Sequence, residues 1–329
     1  VTTTCPWCSA PRDTGPTCPR CGADYAKAEA IKAHGRAAPA AIEPQAQAAS
    51  VDSNTLIYAD HADEPHTVSD PELEWKFCVA AIPAALLCAL LFNASGLGAS
   101  LQRIFLTMPV HEFGHAVTAW FCGYTAIPTL WKTLVPETRG FIAPLALAGA
   151  LAYLMWRARE TNHKPLLYAG GVLLLLQAIG TFFLKPDTAR MLITFGGDAV
   201  GMILATLLMA SFYFGKNTQL YKGSLRWGFL VIGAAAFVDM YATWWKARTD
   251  QSAIPYGTTG GMATDSMTLV DVYRWSFDTL VSRHVTLGLV CLALLAAVYV
   301  WGLRQAKAEL DARRKADKAA AWANRKRGV

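Results

Sequence analysis

The chain has 329 residues, of which 53% are hydrophobic and only 16% charged, with a formal net charge of +6. Soluble domains carry about 25% charged residues, and here the apolar residues gather into blocks of bilayer-spanning length, so an ordinary soluble protein is excluded. The excess positive charge lies largely in the last segment and gives no reason to expect a nucleic-acid partner.

Residues 5–24 read CPWC, nine residues, then CPRCGAD. Cys5, Cys8, Cys18 and Cys21 thus form two CxxC turns, the spacing with which two thiolate pairs surround one zinc ion. Such an ion replaces the hydrophobic core that a unit of this size lacks. With all four positions filled by thiolate, the expected role of this zinc ribbon is structural. A reducing, cytoplasmic location suits it. Residues 25–72 are Ala/Pro-rich without sustained periodicity and read as a flexible linker. Residues 1–76 show no short apolar core after a basic start, so no signal peptide is expected there.

From residue 73 the sequence changes character. Apolar blocks at 77–98, 101–123, 141–156, 166–184, 191–214, 226–245 and 284–303 fit helices of bilayer length, about 20 residues each. Trp75, Trp120, Trp156, Trp227, Trp244, Trp245 and Trp301 fall near their ends, where indole rings favour the headgroup region. The expected fold class is an all-α polytopic membrane protein with six to eight membrane helices over 73–303, preceded by the small ribbon. Cys78, Cys88, Cys122 and Cys291 have no metal-ligand spacing and read as packing residues.

The long loop of about 246–283 ends in LVDVYRWSFDTLV, which places Leu269, Val272, Tyr273, Phe277 and Leu280 at helical spacing. An amphipathic helix is expected there, packed on the membrane domain or lying in the interface. Residues 304–329 hold nine Lys/Arg against three acids and read as a basic helical tail, favouring a cytoplasmic C-terminus and attraction to anionic lipid. Seven spans do not place both that tail and the ribbon in the cytoplasm, which is why the count is left at six to eight.

The second block contains MPVHEFGHAVTAWFCGY, 108–124. Ionisable groups within a membrane segment are costly and mark functional sites by default. On an α-helix, residues four apart lie roughly 40° apart around the axis, so His111 and His115 can offer imidazoles to one metal ion. Glu112 stands beside the first of them as a general base for water. This HExxH pattern leaves room for a third protein ligand. Asp198, in ITFGGDAVGMILATLLM, ranks first because it lies well inside a later apolar run, with Gly196, Gly197 and Gly201 expected to open or kink that helix. Asp239 ranks second; Asp187, Asp265, Asp271 and His284, near interfaces or in loops, rank lower.

HEFGH in one span and an Asp in a later span resemble the site-2 protease family of intramembrane zinc metalloproteases, over roughly 101–214. The resemblance implies hydrolysis of peptide bonds within or beside membrane helices, with His111, His115 and Asp198 as ligands of a catalytic Zn2+ and Glu112 as base. It implies a membrane protein or peptide as substrate. The GGDAV context departs from the family's usual Asp-Gly. Two other readings compete: a CAAX-processing zinc peptidase, whose third ligand is typically a Glu absent from these spans, and a catalytically inactive zinc-binding scaffold that recruits a partner through the ribbon. The Ala-rich composition suggests a bacterial inner membrane. Oligomeric state is not legible.

Overall fold

The structure is a computed structural model and describes residues 4–5, 11–12, 14–20, 24–25, 70–214, 224–259 and 261–326. The chain divides into two compact units, 1–67 and 68–329.

In the first unit, antiparallel bridges join Thr4 to Pro11 and Thr17 to Asp24. The two bridges recur at the same offset as the two TCPxCxA segments, so each CxxC turn has the same local pairing. Cys5 and Cys18 are buried with Tyr25, and the Arg12 guanidinium lies 4.5 Å from the centre of the Tyr25 ring. Cys8, Cys21 and nearly all of the expected linker lie outside the described residues.

The second unit is helical, and its apolar surface places it in a membrane. In chain order it contains α1 (Pro71–Asn93), α2 (Gly96–Gln102), a π-helical turn (Arg103–Thr107) and α3 (Met108–Phe121). A hairpin of β1 (Ile127–Pro128) and β2 (Thr133–Leu134) follows. Next come α4 (Ile142–Glu160), α5 (Lys164–Phe182), α6 (Pro186–Ala210) and α7 (Leu225–Ala247). The long loop holds a second small hairpin, β3 (Thr258–Thr259) and β4 (Met262–Ala263), then α8 (Asp265–Asp271); α9 (Phe277–Lys326) closes the chain.

Each of the seven apolar blocks is helical. Five helices among the described residues are long and apolar enough to cross a membrane: α1, α5, α6 with its 3-10 extension, α7 and α9. The two that fall short are α3, which has only 14 residues and carries the HExxH groups, and α4, which ends in Arg157, Arg159 and Glu160. Burial divides the spans. About half of the apolar window of α6 and α7 is buried, 50% and 56%, against 17% for α1 and α5, so α6 and α7 form the centre. The periphery turns Leu87, Leu91, Leu175, Phe182 and Phe183 outward.

The basic tail is helical, as expected, and continuous with the last span: α9 runs unbroken for 50 residues, about 75 Å at 1.5 Å per residue. Ala306 and Leu310 are still buried, and Arg314 Nη2 lies 2.7 Å from Glu72 Oε1 of α1. The helix expected across 269–280 is broken, because Arg274 adopts a left-handed φ of 59°. The loop is nonetheless packed on the bundle, with Leu269 and Leu280 buried against Trp244 and Ile254.

Inside the bundle, Glu74 of α1 accepts two hydrogen bonds from Arg226 of α7, at 2.8 and 3.0 Å. Phe212 and Trp227 lie against the guanidinium, a fully partnered ion pair that fixes these two helices. The tightest pairing joins α3 to α6. A Cβ on Gly114 would fall 2.5 and 2.6 Å from the carbonyl oxygens of Gly196 and Gly197, so the two backbones are in direct contact, as small residues allow between membrane helices. Gly114→Ala is therefore expected to cost about 1–3 kcal/mol through overpacking. Gly149→Ala, in open space on α4, should be neutral or stabilising by up to about 1 kcal/mol. Thermal unfolding in detergent checks both; equal melting temperatures would refute the α3–α6 contact.

Candidate metal centre

His111 and His115 lie one turn apart on α3, ring centroids 4.7 Å apart and ring planes nearly perpendicular. Their Nε2 atoms are 3.1 Å from each other. Asp265 Oδ2 lies 3.1 Å from each of those nitrogens. The three atoms belong to the one group of metal-ligating side chains among the described residues.

What holds the imidazoles is on α6. His115 Nδ1 donates to the Ile193 carbonyl at 2.7 Å, and a carbonyl only accepts, so the proton of the neutral ring sits on Nδ1 and Nε2 keeps its lone pair. His111 Nδ1 is 2.8 Å from Asp198 Oδ1, and the other oxygen of Asp198 accepts from Trp244 Nε1 at 2.8 Å. Asp198 therefore stands behind His111, both oxygens engaged, on the side of the ring away from Asp265. Tethering of this kind fixes the tautomer and orientation of a metal-binding histidine. Gly197 leaves the space the rings occupy, since a Cβ there would lie 2.5 Å from His111 Cε1 and 2.6 Å from His115 Nε2.

The carboxylate beside both Nε2 atoms is that of Asp265, at the start of α8, while Asp198, expected there, meets His111 at Nδ1. Its helix is capped by Thr264, whose Oγ1 accepts from Met267 N. The glycines preceding Asp198 do not open α6, which stays helical through Ala210; they admit α3 instead. Asp239 is turned elsewhere, pairing with Arg103 Nη1 at 3.0 Å. Asp271 accepts from the Tyr256 hydroxyl. His284 stacks on Trp244 with centroids 3.9 Å apart. Trp244, read from the sequence as an interfacial anchor, is buried.

The donor set fits a metal. Three lone-pair atoms converging within 3.1 Å repel one another unless a positive charge lies among them, supplied by added protons or by a metal ion. Ligands about 2.0–2.1 Å from a tetrahedral zinc stand roughly 3.3 Å apart. Where added protons on His115 and His111 supply that charge in place of a metal, their attraction outweighs burial and holds the Asp265 carboxyl well below its ordinary range.

Glu112, one residue from His111, is buried. Thr133 Oγ1 of β2 is 2.8 Å from Glu112 Oε2 and 2.7 Å from its backbone carbonyl oxygen, so the hairpin fixes the carboxylate while Oε1 has no protein partner among the described residues. All these groups line one cavity of about 720 Å³, together with Arg103, Trp131, Lys132, Ser266 and His284. No family model, curated protein or solved structure matches the chain.

The Trp244–Asp198 hydrogen bond gives a test of this scaffold. Trp244→Phe leaves a buried carboxylate oxygen without its donor, and a loss of about 1–3 kcal/mol is expected. Trp245→Phe, at a half-exposed neighbour, should stay within about 0.5 kcal/mol. Melting temperatures in detergent separate the two, and a Trp244→Phe protein as stable as the parent would contradict the arrangement.

Proposed function

We propose that the membrane unit is an intramembrane zinc peptidase that hydrolyses peptide bonds within or next to membrane segments, the activity implied by the resemblance to site-2 proteases. The observation that carries the reading is the convergence of His111 Nε2, His115 Nε2 and Asp265 Oδ2 beside Glu112, in a cavity within an apolar helix bundle. His111, His115 and Asp265 hold the ion, leaving one position of a tetrahedral set open, as catalytic zinc sites do. Zinc supplies a Lewis acid that acidifies water and polarises a carbonyl.

The chain's own groups do the rest. Thr133 holds Glu112 through Oε2, so Oε1 takes a proton from water as the water oxygen bonds to the carbonyl carbon. The same carboxyl then delivers that proton to the departing amine nitrogen as the C–N bond breaks. The β1–β2 hairpin, with Trp131, Lys132 and Thr133 on the cavity wall, offers extended backbone to a substrate strand. In this reading the ribbon cysteines Cys5, Cys8, Cys18 and Cys21 bind a separate structural zinc on the cytoplasmic side of a bacterial inner membrane.

Metal analysis of the full chain purified in detergent tests the site. Two zinc ions per chain are expected, falling to one in His111→Ala and in Asp265→Ala and staying at two in Glu112→Gln. Asp198→Ala, which frees His111 from its tether, should weaken binding by about 10–100-fold. Stoichiometry unchanged by both His111→Ala and Asp265→Ala would sink the site. On the activity side, Glu112→Gln should lower peptide cleavage by about 10²–10⁴-fold while retaining metal; cleavage at the parental rate would remove Glu112 from the chemistry.

A further inference from the structure

Arg103 opens the π-helical turn that leads into α3, and it lines the same cavity as His111, His115, Glu112 and Asp265. Its side chain is 32% exposed. Nη1 donates to Asp239 Oδ2 at 3.0 Å, and the other oxygen of Asp239 accepts from Asn93 Nδ2 at 3.4 Å. Nη2 and Nε donate to no protein group among the described residues. Asp239 is thus held by two donors, while the arginine is held by one edge and leaves the rest of its donor fork open.

Packing does not call for this pair. A buried ion pair is replaced by apolar residues of similar volume with little loss, and charge inside a membrane is costly enough to mark function. A permanently charged, planar fork with free N–H groups matches a carboxylate in both charge and geometry.

The spacing fixes where that carboxylate belongs. Asp239 and Trp244 are five residues apart on α7, about 8 Å along the axis. Trp244 marks the level of the histidines through Asp198. An extended chain advances about 3.3 Å per residue, so Arg103 faces a group roughly two to four residues from the bond being cut.

We propose that Arg103, presented by Asp239, is a specificity-determining residue that binds a substrate carboxylate two to four residues from the scissile bond. The carboxylate comes from an acidic side chain or from the substrate's own C-terminus. This rests on the peptidase reading above.

The test is digestion of a detergent-solubilised library of random-sequence peptides by the zinc-loaded full chain, with cleavage sites mapped by mass spectrometry. Libraries with free and with amidated C-termini are run in parallel. The expected result is an enrichment of about tenfold for Asp and Glu, or for the chain end, at one position two to four residues from the cut. An enrichment for the chain end that disappears in the amidated library identifies the terminal carboxylate; one for Asp and Glu that persists identifies the side chain. Removing Arg103 alone would strand Asp239, so the decisive variant is Arg103→Gln with Asp239→Asn, which keeps a hydrogen-bonded pair and removes both charges. It should still bind zinc and cleave, with the enrichment gone, while Arg103→Lys retains part of it. A parental library with no enriched position, or an unchanged profile in the double variant, would overturn the proposal. No cleavage by the zinc-loaded parent would overturn the peptidase reading, and this proposal with it.

Discussion

The arrangement of the membrane unit depends on the approach of α3 to α6 where Gly114 meets Gly196 and Gly197. Without side chains between them, the helix axes come close enough for groups of α6 to reach past the α3 backbone to its imidazoles. Three consequences share that contact. Ile193 presents its carbonyl to His115, Asp198 reaches His111, and Gly197 leaves the volume that the rings fill. One added methyl at the crossing would alter all three together, because they are set by a single interhelical distance.

Around this contact three buried carboxylates are kept partnered by donors from other elements. Asp198 accepts from His111 and Trp244, Asp239 from Arg103 and Asn93, and Glu74 from Arg226. Each carboxylate is shared between elements distant in sequence, so each also reports the helix packing. In a setting without bulk water, unpaired carboxylates would be far more costly than these shared ones. On the cavity wall, Glu112 Oε1 and two nitrogens of Arg103 have no protein partner among the described residues, while Gln102, Thr107, Arg139, Gln177 and Tyr241 each keep an unpartnered buried polar atom elsewhere in the unit.

Much of this was legible in the sequence. Apolar blocks located all the long helices, and the spacing of His111 and His115 placed them on one helix face, with Glu112 beside the first. The third donor was not legible. Asp198 drew attention because an acid deep in an apolar run needs an explanation; its explanation is the Nδ1 proton of His111. Asp265 lies in a polar loop where acids are ordinary, and only the fold of 248–276 over the bundle brings it to the histidines. The inward turn of Trp244 is not legible for a related reason, since position near a block end does not distinguish a lipid-facing ring from one turned inward to a carboxylate. Thr133 carried no signal, because its role arises from a hairpin of two-residue strands. The tail's charge pattern marked helix but gave no sign that it continues the last span.

The order of synthesis adds a consequence of recruiting Asp265 from that loop. The ribosome makes the HEFGH segment about 150 residues before it makes Asp265, an interval of roughly 8–30 s at ~5–20 residues per second. Until Asp265 is made, the cluster of His111, His115 and Asp265 cannot form. The cluster becomes complete with the segment that leads into the final helix. Products ending before residue 265 carry the two imidazoles without the third member of that cluster.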